Sequence, residues 1–466
     1  MVRRSLVDCV DLFWLIPELR LAHKTNRIAG SSTISVESSL RIGDRFGPKV
    51  TPEQTFEQLL GLGASWRVVS TDFEAENNTF VICVSETEAL WPEESSKCGQ
   101  AVSCYDHVEP MQWRHLNVFN KECVIVCALP RGKRSVSGEV YRVTPPWEGR
   151  SKHFSKEFEA FALTLMREIP VKKAGEILGE TDQRLWRMLH AHVEAAWQRT
   201  DWSEVVWVGA DEMNRRKGHN YITVFADLVN KRVLFGTEGK DASVWERFAQ
   251  EMQAHNGHPK AVRQVAIDMS PAFIKGVRDN FGNAQVVFDK FHVIQEANEG
   301  VEKVRRLETQ QDELKAAALA KSQWIFRKNP ETHTERETER LGQMDWKHLM
   351  TVLAYQMRLI LQDIYNKTPD AKKAKRDLKS WCSWVNHKAE QAGHELLEPM
   401  VKVARMVERH LEGILGHWKE GLTTAFLEGL NSLFSATKRK ARGYRSTKNL
   451  LAMLYFVAGK LAIPCY

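Results

Sequence analysis

Between Glu204 and Gln295 the chain alternates strand and helix patterns, and its strand patterns run out at carboxylates. Few folds accept that combination. Residues 205–210 (VVWVGA) form a short apolar run rich in β-formers that ends at the acidic pair Asp211 and Glu212, the mark of a buried strand that stops at a polar site. NYITVFADL and KRVLFGT follow as two more strands joined around Val229 and Asn230, so the first three predict an antiparallel meander. Asp241 has the residue type of a helix cap, and Val244, Trp245, Phe248 and Met252 recur at helical spacing. AVRQVAID reads as a fourth strand ending on Asp268, after which Ser270 and Pro271 open a helix through Val277. A fifth strand, AQVVF, delivers Asp289 and, three residues on, His292.

Three strands, a helix, a strand, a helix and a strand is the order of a ribonuclease H-like mixed sheet, in which acids at neighbouring strand ends hold divalent metal. The runs GADE, RKGHNY, AIDMSPAFIKGVRDNFGNAQVVFDKFHV and, far downstream, EGLNSLFSATKRKARGY resemble the ISL-three family of bacterial insertion-sequence transposases, which are DDE enzymes. The likeness runs from about residue 54 to the C-terminus. It implies that Asp211, Asp268 and Glu428 are the catalytic and metal-binding acids, with Asp211 bridging two Mg²⁺ ions and Mn²⁺ able to substitute. Asp289 and His292 form a D-x-x-H pair to which the resemblance gives a supporting role. Glu212 is set aside because it should point away from its neighbour on a strand. Asp227 is set aside for want of any family motif around it.

The chemistry accounts for the residue types. Phosphodiester cleavage by water needs an activated oxygen nucleophile, an in-line geometry and charge relief on the leaving oxygen. Two hard cations held by carboxylates supply all three. From Phe426 to Arg442, Glu428, Asn431, Ser435, Lys438 and Arg442 recur on one helical stripe, while Phe426, Leu427, Leu430, Leu433 and Phe434 occupy the adjoining apolar side. A helix packed on the sheet by that apolar side carries Glu428 toward Asp211 and Asp268. Lys438, Lys440, Arg442 and Arg445 then follow along the DNA path.

Upstream, residues 1–52 form an unassigned extension, and 53–150 a β-rich module. In the family this module holds zinc through two CxxC pairs. Here Ser95, Arg134 and Ser137 stand at three of the four ligand positions, leaving only Cys98, so no zinc is expected. Cys104, Cys123 and Cys127 read as small buried hydrophobes, and Tyr105, Trp113, Leu116 and Val124 as the packing that replaces the metal. Residues 151–200 carry a helix, a short helix ended by Gly179 and a third helix from Thr181, the pattern of a helix-turn-helix. On the third helix Gln183, Arg187 and His190 share a stripe. Any surface helix has a polar face, but beside a DDE core this one reads as the DNA-binding helix.

After His292 the pattern turns to long helices. Residues 298–419 are read as an all-helical insertion between the two parts of the catalytic domain, 201–297 and 420–466. Its Trp324, Trp346, Trp381, Trp384 and Trp418 are expected mainly in a core, with a minority free to stack on unpaired bases. The fold class is thus α/β and multidomain: a ribonuclease H-like core with a helical insertion, preceded by a helix-turn-helix and a degenerate zinc-finger-like module.

In 466 residues, 66 Lys and Arg stand against 59 acids, a net charge of +7 that fits a polyanion partner without establishing one. Eight cysteines are too few for a disulfide framework, and no apolar run reaches membrane-spanning length. The expected setting is the bacterial cytoplasm, with nucleoid association. The expected partners are double-stranded DNA, as element ends and target, and further copies of the chain in a homodimer or larger synaptic complex. Two functions remain: a transposase that binds terminal inverted repeats and performs Mg²⁺-dependent strand cleavage and transfer, or a transposase-derived DNA-binding protein that has lost its chemistry.

Overall fold

The computed structural model describes residues 50–216, 220–311, 313–344, 349–392, 395–419 and 425–465, with side chains at 214–216, 220, 425, 427 and 428 excluded. The N-terminal extension and Trp346 lie outside the described residues, as does the side chain of Glu428.

The first module runs α1 (Pro52–Leu60), β1 (Trp66–Glu74), β2 (Thr79–Glu86), α2 (Leu90–Cys98), β3 (Val102–His107), β4 (Met111–Val118), β5 (Lys121–Cys127), β6 (Pro130–Arg134) and β7 (Val140–Arg142). One sheet has the order β1-β2-β5-β4 and a smaller one the order β3-β6-β7. Alternation along β5 drives Cys123, Ile125 and Cys127 inward, where they meet Ile82, Trp66, Trp113 and Trp147. Trp147 packs edge-on against both Trp66 and Trp113, at 5.1 and 5.8 Å. Two sequence expectations fail here. Tyr105 is 54% exposed, its ring lying under Arg131 and Lys133, because an amphipathic ring with cations above it does not need burial. Cys104 is also exposed, whereas Cys123 and Cys127 are buried.

Three helices follow, α3 (Lys156–Glu168), α4 (Val171–Leu178) and α5 (Asp182–Trp197). Ser155 caps α3 by accepting from the Phe158 amide at 3.1 Å, Gly179 ends α4 at φ +72°, and Thr181 caps α5.

The central sheet contains β8 (Trp207–Arg216), β9 (Asn220–Asp227), β10 (Arg232–Glu238), β11 (Gln264–Ile267) and β12 (Gln285–Phe288), in the order β10-β9-β8-β11-β12. β8 and β10 pair antiparallel with β9, while β11 runs parallel to both β8 and β12. Asp227 is fully buried and organises the β9–β10 turn, accepting from the Val229 and Asn230 amides at 3.0 Å each. One face of the sheet is covered by α6 (Ser243–Ala254) and α7 (Pro271–Asn280). There Phe248 stacks on Phe225 at 4.2 Å, and Trp245 fits against Gly276, where a Cβ would come within 2.3 Å of the indole.

Beyond β12 lie α8 (Lys290–Thr309), α9 (Glu313–Leu319), α10 (Gln323–Arg327), α11 (Glu335–Gly342), α12 (Met350–Lys367), α13 (Ala371–Gln391), α14 (Glu398–Arg409) and α15 (Leu411–Lys419). Trp381 is buried and donates to the Met357 carbonyl at 2.9 Å, and Trp418 stacks on Tyr365. Trp324 instead is 63% exposed, with Arg327 over its ring. The last helices, α16 (Ala425–Lys440) and α17 (Thr447–Ala458), return to the other face of the sheet. There Leu430, Phe434, Leu450, Met453 and Leu454 share one apolar cluster with Ile222, Val224, Val233 and the core of α3–α5. The three-helix unit and the sheet are therefore packed as one body, not as separate beads.

Candidate active site

The register of the parallel strands sets the acids level with one another. Ala266 of β11 lies opposite Gly209 of β8, so Asp268 and Asp211, each two residues on, reach the same height. Ile267 lies opposite Phe288 of β12, which brings Asp289 to that height as well. Adjacent strands are about 4.8 Å apart, so the three carboxylates lie level across three neighbouring strands: Asp268 and Asp289 just past the ends of β11 and β12, and Asp211 within β8, which continues pairing with β9 as far as Arg216 and does not stop at the acidic pair as its sequence suggested.

Asp211 is the best-defined of them. Its side chain is 17% exposed. The Glu212 amide donates to Oδ1 at 2.7 Å, Asn431 Nδ2 of α16 donates to Oδ2, and His292 Nε2 of α8 stands 3.8 Å from Oδ1. Burial pushes the Asp211 carboxyl above the usual range, with the charge of Asp289 adding to the rise and the Asn431 bond and His292 opposing it. Asp268 accepts from the Ser270 amide at 3.0 Å, which fixes the turn into α7. Asp289 is buried and caps α8, accepting from the Phe291 amide at 2.9 Å.

Glu212 follows Asp211 on β8. Burial raises its carboxyl pKa, and the next largest cause is the charge of Asp268. Asp268 sits one residue beyond β11, where the chain has left the pleat.

The cationic candidates divide. Gln183 and Arg187 of α5 are exposed, but His190 on the same stripe is engaged: it pairs with Asn449 Oδ1 of α17 at 2.9 Å. Lys440 donates to the Arg167 carbonyl at 3.0 Å. The helix expected to reach Arg442 stops at Lys440. Arg442 takes φ +54° and Gly443 φ +93°, and their amides close onto the Arg439 and Lys438 carbonyls at 3.0 and 2.9 Å. Arg442 and Arg445 are exposed in the turn that follows, off the Glu428 stripe. Glu428 itself belongs to α16, three residues before Asn431.

At the expected zinc positions a hydrogen-bonded staple joins the end of α2 to the β6–β7 turn. Ser95 Oγ accepts from the Val102 amide at 2.9 Å, and Gln100 Oε1 accepts from the Val136 and Ser137 amides at 3.0 and 3.4 Å. Arg134 lies 4.8 Å above the Tyr141 ring and pairs with Glu139, while the Tyr141 hydroxyl donates to Glu94. Among the described residues no group of three or more His, Cys, Asp or Glu is arranged to hold a metal ion. No helix among them is long and apolar enough to cross a membrane.

Sequence reasoning missed Asn431 as a partner of Asp211. Its place on the Glu428 stripe was visible, but a contact across 220 residues leaves no local signal.

Acids level with one another on three neighbouring strands, approached by a helix from the far C-terminus, set the geometry of the site, and comparison with known proteins gives its class. The profile of a transposase family, ISL3 (ISL-three) of the DDE type, matches residues 208–454, and the chain belongs to that family. It is 27% identical over 280 residues to the transposase for insertion sequence element IS1001 of Bordetella parapertussis. That alignment covers 59% of this chain and 65% of the relative, so the chain spans just under two thirds of it. It is 23% identical over 446 residues to the transposase for IS1557 of Mycobacterium tuberculosis, covering 88% of this chain and 96% of the relative.

Proposed function

We propose that this protein is a metal-dependent transposase that binds the terminal inverted repeats of an insertion sequence, cleaves a strand at each end and joins the freed 3′-hydroxyl to target DNA. The observation that carries the reading is the level row of Asp211 and Asp268 on adjacent parallel strands, met by Asn431 from α16, one turn after Glu428. The sheet order, three antiparallel strands followed by two parallel ones, supports a ribonuclease H-like core.

The donor chemistry fits a hard divalent cation. Asp211 is a largely buried carboxylate with a raised pKa and, among the described residues, no Lys or Arg ion pair, and a bound cation would relieve that cost. Asp211, Asp268 and Glu428 would hold two Mg²⁺ ions, with Mn²⁺ an acceptable substitute. Such ions, when bound, activate the attacking oxygen and relieve charge on the leaving one. Around them, Asn431 fixes the rotamer of Asp211, Asp289 fixes the start of α8, and α8 presents His292 to the same acid. Hydrolysis breaks one phosphodiester bond and leaves a 3′-hydroxyl. Transfer repeats the displacement, with that hydroxyl attacking a target phosphodiester and a 3′-oxygen leaving.

Gln183 and Arg187 on α5 read the element ends in this account, while Lys438, Lys440, Arg442 and Arg445 lie along the flanking duplex, in a synaptic complex of two or more copies. The test is purified protein with Mg²⁺ and a labelled fragment carrying the element's own ends. Nicks at the element boundary and joined products are expected. Binding without any cleavage under Mg²⁺ or Mn²⁺ would instead support a DNA-binding protein that has lost its chemistry.

A further inference from the structure

Phe291 is a large apolar side chain left 54% exposed on the rim of the acid row. Its neighbours in the first turn of α8 are committed elsewhere. Lys290 Nζ donates to Asn366 Oδ1 of α12 at 2.6 Å, and His292 Nε2 stands 3.8 Å from Asp211. Successive residues of a helix point about 100° apart, so the Phe291 ring occupies the sector between the helical insertion and the acids. The residue is anchored at its backbone. Its backbone amide is bound by Asp289 Oδ1 at 2.9 Å, and its ring meets the His292 ring at 5.7 Å and 78°. This aromatic face, half in water and one residue from a group 3.8 Å from Asp211, belongs to none of the hydrophobic clusters among the described residues.

We infer that Phe291 is the stacking platform for a nucleobase taken out of the duplex beside the scissile phosphate; this rests on the strand-cleavage reading above. The contacts through His292 keep the ring within about three base steps of Asp211, at 3.4 Å per step along a strand. An aromatic there suits an unpaired base because every base offers a π-face, whereas a paired base is already stacked. The role is one of positioning: holding the displaced base keeps the strand from sliding while its phosphate sits among the acids.

The probe is a DNA duplex ending in a short unpaired 3′ overhang with 2-aminopurine at the first unpaired position, compared with a fully paired duplex of the same length. The full chain should quench 2-aminopurine fluorescence on binding. Phe291→Ala should abolish the quench and weaken binding to the overhang duplex by about 5- to 150-fold, leaving affinity for the paired duplex unchanged. Phe291→Trp should restore the quench, and Phe291→Leu, which keeps the apolar bulk but not the π-face, should not. A melting curve matching that of the unaltered protein shows each variant to be folded. An undiminished quench in Phe291→Ala or Phe291→Leu, in a preparation where the unaltered protein cleaves DNA, overturns the stacking role alone. If the unaltered protein neither binds nor cleaves DNA, the transposase reading falls and the inference with it.

Discussion

Asn431 is the side chain whose removal interrogates the site most finely. It reaches Asp211 Oδ2 from α16 and is the largest influence holding that carboxyl down against the rise caused by burial. A hydrogen bond to a charged group is worth about 1.5–3 kcal/mol. If that energy orients Asp211, Asn431→Ala should lower the single-turnover cleavage rate by roughly 10- to 150-fold while DNA affinity holds. Asn431→Asp should do worse, because it sets a second carboxylate against a buried one. The pH dependence follows in sign. Without Asn431 the Asp211 carboxyl rises further, so the ionised form appears only at higher pH, and the acidic limb of the rate profile should move upward. In metal-free protein a raised acid pKa means that stability is greatest below the unfolded-state value and declines as pH climbs through the folded-state value, and Asn431→Ala should widen that decline. A cleavage assay across pH, with thermal melts on the same protein, checks both. An Asn431→Ala protein with unaltered rate and unaltered acidic limb would refute the claim that α16 positions Asp211.

Three other outcomes are expected. Glu308 is fully buried on α8 and accepts from the Met350 and Thr351 amides and the Thr351 hydroxyl at 2.7–2.8 Å, capping α12 from outside, so Glu308→Ala should destabilise the protein by about 3–5 kcal/mol in chemical denaturation. Arg187→Ala should weaken binding to element ends by about 1–3 kcal/mol more than binding to unrelated DNA in competition assays, whereas His190→Ala should act chiefly on thermal stability through Asn449. Elemental analysis should find zinc well below one per chain, and Cys98→Ser should leave the melting temperature unmoved, because Ser95 already ties α2 to the start of β3 and Gln100 ties the residues after α2 to the β6–β7 turn.

Much of the architecture was legible because it is local. The apolar runs that became β8 to β12 and the helix start at Thr181 are short-range signals. So is the helical spacing of Val244, Trp245, Phe248 and Met252, all of which are buried. What escaped the sequence is tertiary or terminal. The pairing of His190 with Asn449 joins positions 259 residues apart, and nothing near His190 announces it. The stop of α16 at Lys440 was written in Gly443, but the cationic stripe drew the reading on to Arg442. Tyr105 was taken for core because aromatic rings are usually buried, and it is held outside by Arg131 and Lys133.

The central claim is that three acids distant in sequence, Asp211, Asp268 and Glu428, act together on a phosphodiester. Single-turnover cleavage of a labelled element-end fragment in Mg²⁺ by Asp211→Asn, Asp268→Asn and Glu428→Gln proteins tests it directly, with end binding measured on the same samples. Each variant should lose cleavage by about 10³-fold or more, the equivalent of some 4 kcal/mol of metal-derived stabilisation, while still binding the ends. A folded Glu428→Gln protein that cleaves at the unaltered rate, or an Asp268→Asn protein that loses binding and cleavage equally, would contradict it.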